Sequence, residues 1–388
     1  MATKLIHSIA SAHGISAARQ IGSLAHIGIW AFIAAIFISS AWSPFAIGPI
    51  AFFPVRLIAI IAIPLLLVHA LSWRGLSLSM QVLMTVGAVI LLSGAVSLAW
   101  SPDQILGLRT IGILYTGFAI AVVAPLLIGR QRSRFLSMGT AIAVISLIVG
   151  ILGLYESVTG QYIIGFLDTD QRIINGQIER FQRNLGVLSP MVLSGNWNNH
   201  AGICVIGATI SLGVALSGET SRMLRITCWI GTGVLLANVA LCASRAAYIG
   251  TMVVGICLIM VRRRMVSSDR IRMAAILVVT GLIFPFIYAL YFGVDLEQIA
   301  MKVLSKDVSI RMTYAQLSLS TICDNYLMGA GPGASSEILS GGNYHHHFIQ
   351  IITEHGIIPF IAVIGLHCFL IFRCLRIAKS TGDPFAIC

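Results

Sequence analysis

Long apolar runs decide the fold, and residues 80–100, MQVLMTVGAVILLSGAVSLAW, are a clear example because they contain no charged side chain. A helix of about 20 apolar residues spans the hydrocarbon core of a bilayer. Over the whole chain of 388 residues, 57% are hydrophobic and 10% are charged, whereas soluble domains have about 25% charged residues. The composition excludes a water-soluble globular fold and predicts an all-α polytopic membrane protein.

Comparable runs recur along the sequence and predict one integral membrane domain over residues 1–388, a helical bundle with about ten transmembrane helices. The predicted spans are 24–42, 57–71, 80–100, 111–128, 135–155, 201–217, 224–243, 246–261, 274–292 and 348–372. Two intervals, 156–200 and 293–347, are too long to be simple connections. Long ordered loops are usually functional, so these two are the first places to look for a site.

The basic residues predict the orientation of the chain in the membrane. There are 25 Lys and Arg against 14 Asp and Glu, a formal net charge of +11. With the N-terminus in the cytoplasm, most of the basic residues fall in inner segments, for example 130–134 and 262–272, as the positive-inside rule requires. Both termini are therefore predicted to be cytoplasmic and both long loops to lie outside. The excess charge is then a membrane-insertion signal and does not indicate nucleic acid binding.

The second long loop carries three features in order. Apolar side chains recur near helical spacing between residues 307 and 322, which predicts an amphipathic helix on or near the membrane surface. Residues 329–333, Gly-Ala-Gly-Pro-Gly, then predict a turn. Residues 345–358, HHHFIQIITEHGII, lead into the last predicted span. Ionisable side chains that enter a bilayer are costly, so this run is a candidate functional site.

Residues 345–358 resemble the His-Asn-x-x-Leu…Glu-x-Gly-Leu-Ile signature of the bacterial O-antigen ligase and O-antigen or exopolysaccharide polymerase superfamily. His345 takes the place of the family His, and His346 stands where the family usually has Asn. Three further pieces follow the family order, and the resemblance covers about residues 160–364. They are Arg183-Asn-Leu-Gly186 followed by Asn196-Trp-Asn-Asn-His200, Ser244-Arg245 at an outer helix junction, and Arg311 ahead of the glycine turn.

The resemblance implies a glycosyltransferase of the bacterial inner membrane. Its donor would be a glycan on undecaprenyl pyrophosphate, transferred on the periplasmic face to an acceptor sugar. The acceptor would be the lipid A core of lipopolysaccharide for a ligase, or another lipid-linked repeat for a polymerase, and the sequence leaves both open. The resemblance also implies an inverting reaction that uses no metal and no other cofactor.

The chemistry of this transfer assigns candidate roles to the residues. A guanidinium group binds phosphate oxygens bidentately, which makes Arg245 and Arg311 catalytic candidates for the departing pyrophosphate. A neutral imidazole near pH 7 can accept the proton of the acceptor hydroxyl, so His345 is the candidate base. The remaining candidates are substrate contacts: Arg183, Asn199, His346 and Glu354.

Other interpretations of the same residues remain open. Arg245 could extend to lipid headgroups, and Glu354, which shares a helix face with His347 and Gln350, could position His347. Successive helical residues point about 100° apart, so the three adjacent His residues are not expected to bind one metal ion. The alternative function is a multispan transporter or a flippase for lipid-linked oligosaccharides. That class should carry ionisable residues at the membrane midplane, and the predicted spans contain almost none.

Overall fold

The structure is a computed structural model of the chain. It describes residues 25–38, 45–47, 50–52, 54–71, 76–129, 131–163, 190–192, 197–217, 219–242, 244–261, 308–339 and 347–381. These residues are almost all helical, which confirms the predicted all-α membrane fold. One short antiparallel hairpin interrupts the helices, with Phe45 opposite Phe52.

The helices and strands follow one another along the chain with short connections. In order they are α1 (Ala25–Ile38), β1 (Phe45–Ile47), β2 (Ile50–Phe52), α2 (Pro54–Leu71), α3 (Leu78–Ser97) with the 3₁₀ turn Leu98–Trp100, α4 (Gln104–Ile128), α5 (Arg132–Thr159), α6 (Trp197–Leu216), α7 (Arg222–Cys242), α8 (Arg245–Val261), α9 (Val308–Asp324), α10 (Ala334–Ile338), α11 (His347–His355) and α12 (Ile357–Thr381).

Six segments of the described residues are long and apolar enough to cross a membrane, and each matches a predicted span. They are Leu78–Trp100, Gln104–Ile128, Arg132–Thr159, Trp197–Leu216, Arg222–Cys242 and Ile357–Ile377. Three other predicted spans, 24–42, 57–71 and 246–261, correspond to shorter apolar helices: Ala25–Ile38, Pro54–Pro64 and Ala246–Gly255. The predicted span 274–292 lies outside the described residues.

The last predicted span, 348–372, is wrong at its beginning. Helix α11 ends at His355, and Gly356 has a φ of 85°. An α-helix requires a negative φ at each residue, so the helix stops there and α12 starts afresh at Ile357. The spanning segment is therefore Ile357–Ile377, and the residues before Gly356 form a separate short helix. The helix predicted near residues 307–322 is confirmed as α9.

Contacts between loops assign the helix ends to two opposite faces. Arg132, at the start of α5, pairs with Glu219 in the α6–α7 connection, with Nε 3.4 Å from the carboxylate. The other end of α5 contacts residues 190–192, which precede α6. We call this second face, where α5 ends at Thr159 and α7 ends at Cys242, the site face. All the candidate residues on α6 and α8 lie at the site-face ends of these helices.

The tightest packing joins α5, α6 and α7 through small residues. A Cβ placed on Gly207 of α6 would collide with Ser146 of α5. A Cβ on Gly153 of α5 would lie 2.8 Å from His200 Nε2. Helices in lipid gain little from burying apolar surface, so close approach at small residues holds them together. These glycines therefore set the distance between the helices that carry the site.

Candidate active site

The structure locates part of the predicted site. Arg245 is the first residue of α8, Arg311 lies in the first turn of α9, and Asn199 is exposed in the first turn of α6. Glu354 is fully buried in α11. Arg183, His345 and His346 lie outside the described residues, so their roles stay predictions.

The carboxylate of Glu156, near the end of α5, binds both ends of the first long loop. Its Oε1 accepts a hydrogen bond from Ile163 N (3.0 Å), and its Oε2 accepts from Met191 N (2.8 Å) and Val192 N (2.9 Å). The side chain is 0% exposed. Burial, followed by the nearby charge of Glu156, raises the pKa of the Tyr162 hydroxyl, so this neighbour stays neutral. We call these contacts the Glu156 clasp, and they bring residues 163 and 191–192 together.

A buried polar group connects α5, α6 and α7 beside the clasp. His200 Nε2 lies 3.1 Å from Asn238 Oδ1 and 3.5 Å from the thiol of Cys204. The amide of Asn238 donates to Gly150 O (2.8 Å) and to Val234 O (2.9 Å). Because the Asn238 amide uses its N–H groups on carbonyls, its oxygen accepts from His200, which assigns the proton to Nε2. Each of the three helices thus contributes a polar partner.

The α7–α8 junction, where Arg245 stands, is held from two sides. The thiol of Cys242 donates to Pro190 O at 3.6 Å, which ties the end of α7 to the segment that the Glu156 clasp binds. The Tyr248 hydroxyl donates to Ala240 O at 3.1 Å and so bridges the junction from α8 back to α7. The backbone of Arg245 lies between these two contacts, and its position depends on both.

A second ordered region forms around the glycine turn, residues 329–333. Gly329, Gly331 and Gly333 have φ values of 73°, 98° and 85°, a region that glycine adopts without steric cost. The turn pairs with the end of α11, since Ala330 N donates to Thr353 O (2.8 Å) and Gly331 N donates to Glu354 O (3.1 Å). This pairing confirms a turn at the predicted place.

The same turn packs against the connection between α3 and α4. Trp100 Nε1 donates to Gly329 O at 3.0 Å, and the Ser101 hydroxyl donates to Pro332 O at 2.8 Å. A Cβ on Gly331 would lie 2.7 Å from Ser101 Cα. There is no room for a side chain, so the glycines allow α11 and the α3–α4 connection to contact the same turn.

Glu354 braces this region and keeps one oxygen free of protein partners. Its Oε1 accepts from Ser335 N and from Gln350 Nε2, both at 3.3 Å, whereas Oε2 has no hydrogen-bond partner among the described residues. Burial raises the pKa of Glu354, and the N–H groups of Gly333, Gln350 and Ser335 lower it in part. The contact with Gln350 confirms that these two residues share a helix face.

His355, the next residue, is also buried at this turn. Burial, followed by the charge of His347, lowers its pKa to about 4, so its ring is neutral at pH 7. Its carbonyl accepts from the Ser93 hydroxyl of α3 at 3.0 Å. The end of α11 is therefore fixed to α3 as well as to the glycine turn.

The sequence prediction missed Glu156, His200 and Asn238 as residues of the site face. Their signal was present, because a carboxyl or amide group within or next to an apolar span is costly unless it is paired. The predicted span 135–155 stops one residue before Glu156 and so assigns it to a loop. Among the described residues, no group of three or more His, Cys, Asp or Glu side chains has the arrangement of a metal site.

Comparison with known proteins gives one match. Residues 226–364 match the family model described as O-Antigen ligase. The matched segment includes the α7–α8 junction, α9, the glycine turn and the histidine run, whereas the Glu156 clasp precedes it. None of the curated proteins and none of the solved structures matches the chain.

Proposed function

We propose that this chain, whose residues 226–364 belong to the O-antigen ligase family, is a membrane glycosyltransferase. It transfers a glycan from an undecaprenyl-pyrophosphate donor to an acceptor sugar hydroxyl on the periplasmic face of the bacterial inner membrane. The observation that carries the proposal is that one family segment contains the α7–α8 junction, the glycine turn and the histidine run. The described structure supports it by fixing the first two of these through buried contacts.

In the proposed reaction the acceptor oxygen attacks the anomeric carbon of the donor. A new carbon–oxygen bond forms as the bond to the pyrophosphate oxygen breaks, and the electron pair leaves with undecaprenyl pyrophosphate. His345 takes the hydroxyl proton, while Arg245 and Arg311 stabilise the charge that develops on the phosphates. A direct displacement of this kind inverts the anomeric configuration and needs no metal. The glycan is contacted by Arg183, Asn199, His346 and Glu354.

The charge on the opposite face supports the periplasmic position of the site. The helix ends away from the site face carry Arg132, Arg134, Arg222 and Arg225. Basic residues in short connections favour the cytoplasmic side. The site face then opens to the periplasm, where lipid-linked glycans are assembled in this class of reaction.

The experiment that tests the proposal measures transfer by the full chain in proteoliposomes with a lipid-pyrophosphate-linked glycan. Arg245→Ala and His345→Ala should each lower the rate by about 10²-fold or more, the size typical for loss of a preorganised donor or a general base. Arg225→Ala is the matched control, because Arg225 is exposed on the opposite face, and it should leave the rate unchanged. Full activity of both site variants at normal abundance would refute the assignment.

The alternative of a flippase draws support from one observation, the buried polar residues His200 and Asn238 within apolar helices. However, His200 lies in the first turn of α6, close to the site face and far from a midplane. A deletion strain separates the two functions, since lipid-linked precursor accumulates outside if transfer is lost and inside if flipping is lost. Surface polysaccharide in the same strain separates ligase from polymerase: unlinked polymer indicates a lost ligase, and single-repeat decoration indicates a lost polymerase.

A further inference from the structure

Glu156 joins parts of the chain that are distant in sequence. Ile163 begins the undescribed part of the first long loop, and Met191 and Val192 come after its main portion. One carboxylate accepts all three N–H groups. A bond from N–H to an ionised acceptor is stronger than a neutral one, and a buried carboxylate without such partners would be costly. The loop ends and the carboxylate therefore require each other.

The clasp is continuous with the junction that carries Arg245. Met191 follows Pro190 directly, and Pro190 O accepts the thiol of Cys242 at 3.6 Å. Cys242 is 1% exposed and ends α7. Val192 has a φ of 35°, which only a few per cent of non-glycine residues adopt. Release of the clasp would remove the contacts that hold this bend against α7, so the shift would reach the start of α8.

We propose that Glu156 is a positioning residue for the proposed transfer reaction: by binding residues 163, 191 and 192 against the end of α7, it fixes the α7–α8 junction and with it the position of Arg245. The inference rests on the proposed function, because it assumes that Arg245 acts on the departing pyrophosphate. It does not require that Glu156 contact the substrate.

Glu156→Gln tests the role with little change in shape. The amide oxygen can replace Oε2, which accepts two N–H groups, but the amide NH₂ then faces Ile163 N, so two donors oppose each other and one loop end is released. We expect kcat to fall about 10- to 100-fold, the size that a misplacement of about 1 Å can cause, with the donor KM changed by less than about threefold. Glu337→Gln, an exposed acid on α10, is the control and should be fully active.

A double-mutant cycle separates positioning from a general structural role. If Glu156 acts through Arg245, then Glu156→Gln should lower kcat little further in an Arg245→Lys enzyme, whereas its effect should multiply with that of Arg311→Lys. Multiplicative effects in both cycles, or a fully active Glu156→Gln enzyme beside an impaired Arg245→Lys enzyme, would overturn the positioning role and leave the proposed function intact. A fully active Arg245→Ala enzyme would overturn the role of Arg245 and, with it, that of Glu156.

Cys242→Ala provides a second variant in case Glu156→Gln does not reach the membrane. It removes the thiol that contacts Pro190 O, and Cys242→Ser retains a donor there. We expect Cys242→Ala to lower kcat about threefold to tenfold by the same misplacement, with recovery in Cys242→Ser and no further effect in an Arg245→Lys enzyme. Wild-type kcat in Cys242→Ala would overturn the link between the clasp and Arg245.

Discussion

Two glutamates, Glu156 and Glu354, are both 0% exposed and both accept backbone N–H groups, yet they are completed differently. Glu156 uses both oxygens, with three N–H partners at 2.8 to 3.0 Å. Glu354 uses one oxygen at longer distances of 3.3 Å, and its second oxygen has no partner among the described residues. The difference indicates that Glu156 is saturated by the fold, whereas Glu354 retains an acceptor for another molecule.

The regions around these two glutamates also hold their loops by different means. At the first loop a charge gathers N–H groups from separate segments. At the glycine turn the backbone pairs directly with α11, and glycines supply conformations and clearances that no other residue offers. One region therefore depends on a single side chain, and the other depends on the absence of side chains.

The largest expected effect comes from Glu156→Ala. It leaves three buried N–H groups without partners, and each unsatisfied group costs about 1 to 3 kcal/mol, so we expect a loss of about 3 to 6 kcal/mol of stability. Thermal unfolding of the purified protein in detergent measures this loss, with Glu337→Ala as the exposed control. An unchanged unfolding temperature would show that water or other groups satisfy the N–H donors, and the contrast with Glu354 would then fail.

Gly356→Ala should have the next largest effect. A Cβ there would lie 2.6 Å from Leu327 C and 2.9 Å from Gly329 N, and the φ of 85° is unfavourable for alanine. Left-handed strain of about 1 to 2 kcal/mol and overpacking of about 1 to 3 kcal/mol predict a loss of about 3 kcal/mol. The same unfolding measurement applies.

Gly365→Ala in α12 is the matched control, because nothing lies within 4 Å of its added Cβ. Alanine in a helix interior is favoured over glycine by about 1 kcal/mol, so this variant should be slightly stabilised. Equal destabilisation by both substitutions would mean that the glycine turn is not specifically packed.

The sequence predicted what depends on local pattern and missed what depends on contacts between distant segments. The apolar runs predicted α3 to α7 closely, and the glycine-rich residues 329–333 predicted a turn. The break at Gly356 was missed because isoleucines continue on both sides of it, and only the approach of Leu327 and Gly329 requires a glycine there. Glu156 was placed in a loop because its partners, Met191 and Val192, are backbone groups of another segment, which a side-chain pattern does not reveal.

The smallest expected effect on stability belongs to Glu354→Gln, and it tests the comparison most sharply. The amide oxygen can still accept from Ser335 N and Gln350 Nε2, and the NH₂ group replaces an oxygen that opposes no donor among the described residues. We expect a change of less than about 1 kcal/mol in stability. If Oε2 accepts a glycan hydroxyl, the KM for the glycan should rise about tenfold, since about 1.4 kcal/mol corresponds to that factor. Glu156→Gln should instead lower kcat, so the two isosteric substitutions should affect different constants. A Glu354→Gln protein as unstable as Glu156→Gln, or one with unchanged KM, would show that both glutamates serve only the fold.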